Sequence, residues 1–372
     1  MADQGLPYTP ILAGLPPLVP FVGPEALERE RGGPFRARLG ANESAFGISP
    51  IARRVGMAAL ERMSWYADPE NHELRAALAA AHGVAPDNIA IAAGIDDLLG
   101  LAVRAFAAER AAVMTAGSYP TFAFHVAGYG ARLITMPYRD DRVDLDGLLD
   151  AAIGGGATLL YVANPDNPAG TWRDATDVQR LVERVPPGMV LLLDEAYADF
   201  APAAAIPPAG LLGPGVLRLR TFSKAHGMAG GRVGYAICTA EAWQGFEKIR
   251  HHYGMNRIAQ EVALASLGDS DFIAGVVASV QAGRLEYARI AADHGLTVLP
   301  SGTNFVNFDT GSAARADALL DALIRHGVFV RKAKAPPLDR TVRITVGRPD
   351  ERAVLAEVLG DALADADRSL RG

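Results

Sequence analysis

Short runs of consecutive apolar residues, separated by stretches with helical periodicity, restrict this chain more than any other feature. The runs are residues 89–92, 111–115, 131–136, 158–163, 190–193, 216–221 and 233–238. They are apolar along most of their length, so both faces of each strand must be covered. Residues 51–63, 71–82, 96–107, 119–127 and 176–185 read as the helices that cover them. Buried strands alternating with helices predict an α/β fold around a mainly parallel, seven-stranded sheet.

After Gln260 the pattern changes. Residues 261–291 read as a long helix broken near Gly268-Asp269-Ser270-Asp271. Strands at 297–299, 304–308, 328–330 and 342–346 follow, with helices at 314–326 and 351–364. This predicts a smaller α+β domain. The expected division is an N-terminal arm over residues 1–45 that joins the small domain, a large domain over 46–265 and a small domain over 266–372. The arm is rich in proline and glycine and reads as extended, with one charged stretch at 25–31.

Composition narrows the function classes. Half of the 372 residues are hydrophobic and 21% are charged, a soluble globular balance. A net charge of −6 argues against a nucleic-acid partner. The single cysteine, Cys238, has no internal partner and reads as a small buried strand residue. No apolar run has the length of a transmembrane helix. The opening Met1-Ala2-Asp3-Gln4-Gly5 lacks a basic segment leading into an apolar one, so no secretory signal is expected and the expected compartment is the cytoplasm.

Three segments carry chemistry. In Thr221-Phe222-Ser223-Lys224-Ala225-His226-Gly227 a lysine ends an apolar run inside a loop of small residues, and Arg232 follows. Leu191-Leu192-Leu193-Asp194-Glu195-Ala196-Tyr197 is a buried-strand pattern that ends in a carboxylate. The third is Asn164-Pro165-Asp166-Asn167-Pro168-Ala169-Gly170-Thr171. Together they are the parts needed for chemistry through a lysine-held pyridoxal 5'-phosphate. The lysine must hold the aldehyde as an imine and afterwards act as a base. A charged ammonium does neither, so such a site also needs a nearby cationic group, and Arg232 or the cofactor's own pyridinium is the candidate. The ring nitrogen must stay protonated to draw electrons from the reacting carbon, and Asp194 is the candidate carboxylate. At ~4 Å such a pair attracts by roughly 4 kcal/mol at an effective dielectric of ~20.

With these segments the chain resembles the fold-type I pyridoxal-phosphate enzymes of the aspartate aminotransferase superfamily, class I/II. Within it the resemblance is to histidinol-phosphate aminotransferases. Ala41-Asn42-Glu43-Ser44-Ala45-Phe46-Gly47 is similar to their Asn-Glu-Asn-Pro-Phe/Tyr-Gly segment. Trp65-Tyr66-Ala67-Asp68-Pro69 with Glu73-Leu74-Arg75 is similar to their Tyr-Pro-Asp-Pro…Glu-Leu-Arg. Val342-Arg343-Ile344-Thr345-Val346-Gly347 is similar to their Leu-Arg-Ile-Thr-Val-Gly. The resemblance implies an aminotransferase. It would move an amino group between an amino acid, or histidinol phosphate, and a 2-oxo acid such as 2-oxoglutarate. It also implies a homodimer with shared active sites. A decarboxylase or lyase of the same fold, of the threonine-phosphate decarboxylase kind, shares these motifs and stands as the alternative.

Roles carry over residue by residue. Lys224, Asp194 and Tyr197 are the expected catalytic residues. The turn Gly94-Ile95-Asp96, with Ser223 and Arg232, is expected to hold the cofactor phosphate at a helix start. The helix dipole also favours an acidic residue at Asp96, a reading that can hold beside the one the resemblance implies. Tyr119 is expected to stack on the cofactor ring, or else to be core. Asn167 and Tyr197 match positions that hydrogen-bond the phenolic oxygen of the cofactor, whereas Asn164 is explained as a turn residue. Tyr66 is expected to reach the cofactor phosphate of the neighbouring subunit, or to pack locally. Arg343 is expected to clamp a substrate carboxylate. Asn42, Asn167, Arg331 and Asn256 are further substrate-side candidates, together with Tyr253, and Lys332 and Lys334 add charge beside Arg331. Glu195 points away from Asp194 along the strand and reads as structural. His226, His251 and His252 read as packing or surface residues, and no metal site is expected. Ser44-Ala45 and His251-His252-Tyr253-Gly254 depart from the family pattern. The amino donor therefore stays open between histidinol phosphate and an aromatic or other amino acid.

Overall fold

In the computed structural model, which describes residues 6–16, 22–208, 210–211 and 213–371, the apolar runs pair into one seven-stranded sheet. The first five residues, on which the secretory expectation rests, lie outside the described ones. From edge to edge the strands are Ile89–Ala92, Gly234–Ile237, Val216–Thr221, Val190–Asp194, Leu159–Ala163, Ala111–Thr115 and Arg132–Met136. All neighbours pair in parallel except at Gly234–Ile237, which is antiparallel to both strands beside it. Alternate side chains go to opposite faces. Tyr161, Leu192 and Leu219 pack beneath the helices Ile95–Phe106 and Pro120–Gly128. Leu160, Leu191 and Leu193 pack with residues of Leu145–Gly154 and Ala175–Arg184.

A second, antiparallel sheet joins Arg331–Lys332, Thr341–Thr345, Phe305–Asp309 and Thr297–Val298. Its apolar face packs with Ser270–Asp293, Ala313–Arg325 and Pro349–Ser369. The strand expected at 328–330 is two short strands in different sheets. Val328–Phe329 pairs in parallel with Ala37–Arg38 from the N-terminal arm, and the chain crosses at Val330 before Arg331–Lys332 joins the antiparallel sheet. The expected helix break is present as Arg257–Leu267 and Ser270–Asp293, bent by 82°. Asp269 caps the second helix, accepting from the Phe272 amide, and also accepts from the Ser49 hydroxyl. The arm is not wholly extended, since it contains the helices Pro10–Gly14 and Pro24–Arg31. Each opens on proline, which is pre-set for the first helical position, and Gly32 closes the second in a left-handed conformation. Among the described residues no single helix is long and apolar enough to cross a membrane.

Candidate active site

Ala163, Asp194 and Thr221 end three neighbouring parallel strands, and a cavity of about 470 Å³ opens beyond them. Asp194 forms its inner wall and is 4% exposed. Its carboxylate accepts from the Tyr161 hydroxyl at 2.8 Å and from the Ala196 amide at 3.0 Å. Burial pushes its carboxyl up to about 6. A cation placed against it would relieve that penalty. Glu195 points to the other face and is consumed by Arg218 and Arg220, at 2.8 and 2.9 Å.

Lys224 enters from the loop between Val216–Thr221 and the reversed strand Gly234–Ile237. Its Nζ donates to the Asn42 carbonyl at 3.1 Å and lies 5.5 Å from the centre of the Tyr197 ring. The Tyr197 hydroxyl accepts from Asn42 Nδ2 at 3.0 Å, and Thr345 fixes Asn42 through its backbone amide and its Oδ1. The lysine, tyrosine and asparagine thus converge from three distant segments.

At another end of the cavity the helix Ile95–Phe106 begins without a side-chain cap, because Gly94 holds the N-cap position. Gly94 has φ +88°, and a Cβ there would lie 2.5 Å from the Arg232 guanidinium. Gly234 is likewise packed against Gly94 and the Ile95 amide, at 2.6 Å from an added Cβ. The two glycines let Arg232 sit over the helix start, 3.3 Å from Asp96. Tyr119 donates to the same Asp96 carboxylate at 2.8 Å. Ser223 lines the cavity beside them and is oriented by Thr221. Free helix-start amides, a hydroxyl and a guanidinium make an anion site.

Arg343 and Arg331 form the remaining wall. They stand directly opposite one another on adjacent antiparallel strands. Arg343 donates to Asn167 Oδ1 and to the Gly40 carbonyl, the latter at 3.1 Å. Its Nε is buried without a partner among the described residues. Burial pulls this guanidinium down to about 10, and the Arg331 charge pushes the same way. An unpaired buried donor on a cation calls for an anionic ligand.

The model of the family "Aminotransferase class I and II" matches residues 37–359. A histidinol-phosphate aminotransferase from Roseiflexus castenholzii is 38% identical over 94% of this chain and 96% of its own. One from Ralstonia nicotianae is 37% identical over 89% of each. The chain belongs to the class I and II aminotransferases. The crystal structure of histidinol-phosphate aminotransferase from Sinorhizobium meliloti, in complex with pyridoxal-5'-phosphate, superposes with a TM-score of 0.94 at 46% identity, covering 99% of both chains. An L-threonine-O-3-phosphate decarboxylase from Porphyromonas gingivalis, at 22% identity and a TM-score of 0.75, shows only a shared fold. The fold is therefore fold type I, and the protein is a pyridoxal-phosphate-dependent aminotransferase.

The donor set fits that cofactor. The aminotransferase offers an amine at Lys224, a buried carboxylate at Asp194, an aromatic ring at Tyr119 and an anion site at Gly94-Ile95-Asp96 with Ser223 and Arg232. Of the residues expected from the sequence, Lys224, Asp194, Tyr197, Ile95, Asp96, Tyr119, Asn167, Ser223, Arg232, Arg343, Asn42 and Arg331 line the one cavity. Gly94, Tyr66 and Asn256 do not; Gly94 stands behind the wall, at the N-cap under Arg232. Tyr66 is 78% exposed and packs against Tyr253, the ring centres 4.6 Å apart and the rings tilted by 37°. Asn256 caps the helix Arg257–Leu267 by accepting from the Ala259 amide. Asn164 is held by four bonds to Asp194, Arg173 and Ala205 within the framework. His226 bonds Ser266 at 2.8 Å, while His251 and His252 are exposed. Sequence reading missed Tyr161. Its signal was a tyrosine in an otherwise aliphatic strand, where a buried hydroxyl requires a partner.

Proposed function

We propose that this aminotransferase takes its amino group from histidinol phosphate and passes it to a 2-oxo acid such as 2-oxoglutarate. The arginine pair carries the reading. Arg331 and Arg343 lie in register on one cavity wall. A carboxylate needs one guanidinium, whereas two side by side repel unless a more highly charged group joins them. A phosphate monoester carries about −1.5 to −2 charges at neutral pH and meets that need. The names of the relatives agree with it.

In this reading Asp194 keeps the cofactor ring nitrogen protonated, and Tyr119 covers the ring. Asn167 and Tyr197 face its phenolic oxygen. Gly94, Ile95, Asp96, Ser223 and Arg232 hold its phosphate, with Tyr66 reaching that of the neighbouring subunit. When bound, pyridoxal phosphate supplies an electron sink for the carbon that loses its proton. Lys224 Nζ takes that proton and returns it. Asn42 keeps both Lys224 and Tyr197 in place. Arg343 also receives the carboxylate of the second substrate. We further infer a cytoplasmic homodimer. The exposed Met57, Met63, Trp65 and Tyr66 support it, because they gather large apolar side chains near one stretch of surface.

Single-turnover rates with histidinol phosphate and with histidinol test the donor. Removing one partner from a buried charge pair costs about 3–5 kcal/mol, so histidinol should react at least ~100-fold less efficiently. Arg331→Ala should narrow that gap. Equal rates for the two amines would overturn the reading.

A further inference from the structure

Asp166 is fully buried in the middle of the loop Asn164–Thr171, and it lines no part of the cavity. Three donors converge on its carboxylate: Ser118 Oγ at 2.7 Å, the Tyr138 hydroxyl at 2.8 Å and the Ala169 amide at 3.0 Å. Its backbone closes the loop as well, donating to the Thr171 carbonyl and accepting from the Gly170 amide, each at 2.9 Å. The neighbours of these groups face the cavity. Tyr119 follows Ser118, and Asn167 follows Asp166 and accepts from Arg343. A single carboxylate therefore ties together two segments that are 48 residues apart and that each present one cavity-lining side chain.

We propose that Asp166 is a positioning residue that sets the spacing between Tyr119 and Asn167, and with it the slot in which the cofactor ring lies. This rests on the cofactor contacts assigned above to those two side chains. The arrangement is costly, since burial alone pushes the Asp166 carboxyl up, and only the converging donors offset it. A loop needing only to be closed has its two backbone bonds for that purpose. The side-chain bond to Ser118 does something else: it reaches across to the turn that carries Tyr119, while Tyr138, from the segment after Arg132–Met136, holds the other carboxylate oxygen.

The test uses Asp166→Ala, Asp166→Asn, Ser118→Ala and Tyr138→Phe, with Asn167→Ala and Tyr119→Ala as reference variants. Three quantities are read: the cofactor dissociation constant, the visible absorption of the bound cofactor, and the melting temperature without cofactor. Loss of a buried hydrogen bond to a charged group is worth roughly 10- to 100-fold. Asp166→Ala should weaken cofactor binding by about that factor and shift the absorption band in the direction seen for Asn167→Ala. Asp166→Asn keeps the shape and one acceptor and should recover most of both. Ser118→Ala and Tyr138→Phe should give smaller shifts of the same sign, which keeps the test open if the alanine variant fails to fold. Unchanged absorption and affinity in the Asp166, Ser118 and Tyr138 variants, with only a lower melting temperature, would overturn the proposal while leaving the site assignment intact. Unchanged absorption in Asn167→Ala and Tyr119→Ala would overturn both.

Discussion

Replacing Lys224 by alanine removes the amine that faces the Asn42 carbonyl and the Tyr197 ring. Turnover should vanish while the fold and melting profile persist, because the loop is held by backbone bonds at Gly227 and Met228. A variant that still transaminates at a measurable rate would exclude Lys224 from the chemistry. Asp194→Asn should behave differently. The folded-state carboxyl sits near 6, above its ordinary value, so the fold favours the protonated form. Without cofactor the ionised form therefore destabilises the chain, and the penalty grows as pH rises from about 4 to 6 and is complete above that. At ~1.4 kcal/mol per pH unit it amounts to about 3 kcal/mol. Cofactor-free Asp194→Asn should melt higher than the parent at pH 8 and alike at pH 4, yet lose activity by orders of magnitude. Equal melting at both pH values would show that the carboxylate is not strained. The motif residues were legible in the sequence because their chemistry restricts residue type at known positions. Tyr161 and Asp166 were not, because what they do depends on which buried donor faces which acceptor, and that is settled only by strand register.

Among the elements, the start of the helix Ile95–Phe106 is the most sensitive to a small change. Gly94→Ala adds a Cβ at a left-handed φ of +88° and 2.5 Å from Arg232. Cofactor affinity should fall at least about tenfold, the order of one displaced charge-assisted bond, as read by equilibrium titration. The helix His72–His82 carries a pH-dependent contact. His82 bonds the Tyr235 hydroxyl on the reversed strand at 2.8 Å, and burial, helped by Arg220, lowers its imidazole to about 4. A lowered histidine supports the fold fully above its ordinary value near 6.5 and loses that support as pH falls toward 4. Melting temperature should drop across that window, and His82→Gln should flatten the drop. An unchanged slope would remove His82 from the acid response. The buried strands were legible because a short, continuous apolar run between turn residues must be covered on both faces, which a central strand achieves. Their directions were not, since an apolar pattern reads the same in both senses. The helices Leu145–Gly154 and Ala240–Glu247 did not stand out, being short and each interrupted by a glycine, Gly147 and Gly245. The switch at Val330 escaped because the neighbouring strands are only two residues long.

At the scale of the whole molecule, the proposed dimer has a direct consequence for mass. Light scattering at working concentration should give twice the chain mass, and Trp65→Glu with Tyr66→Glu should produce monomers with impaired turnover. A fully active monomer would remove the shared-site reading. The pairing of Ala37–Arg38 with Val328–Phe329 has another consequence, one of timing. During synthesis the arm leaves the ribosome long before its partner strand does. The large sheet contains residues 89–237 and can assemble in between, but Arg343 and the arm residue Asn42 reach the cavity only when the later strand Thr341–Thr345 is made. Each new chain thus passes through a stage with its lysine loop formed and its lid of arm and arginines missing. A nascent chain arrested before residue 341 should carry the large sheet yet fail to hold the cofactor, and release of the strand Thr341–Thr345 should act as the step that commits the enzyme to binding it.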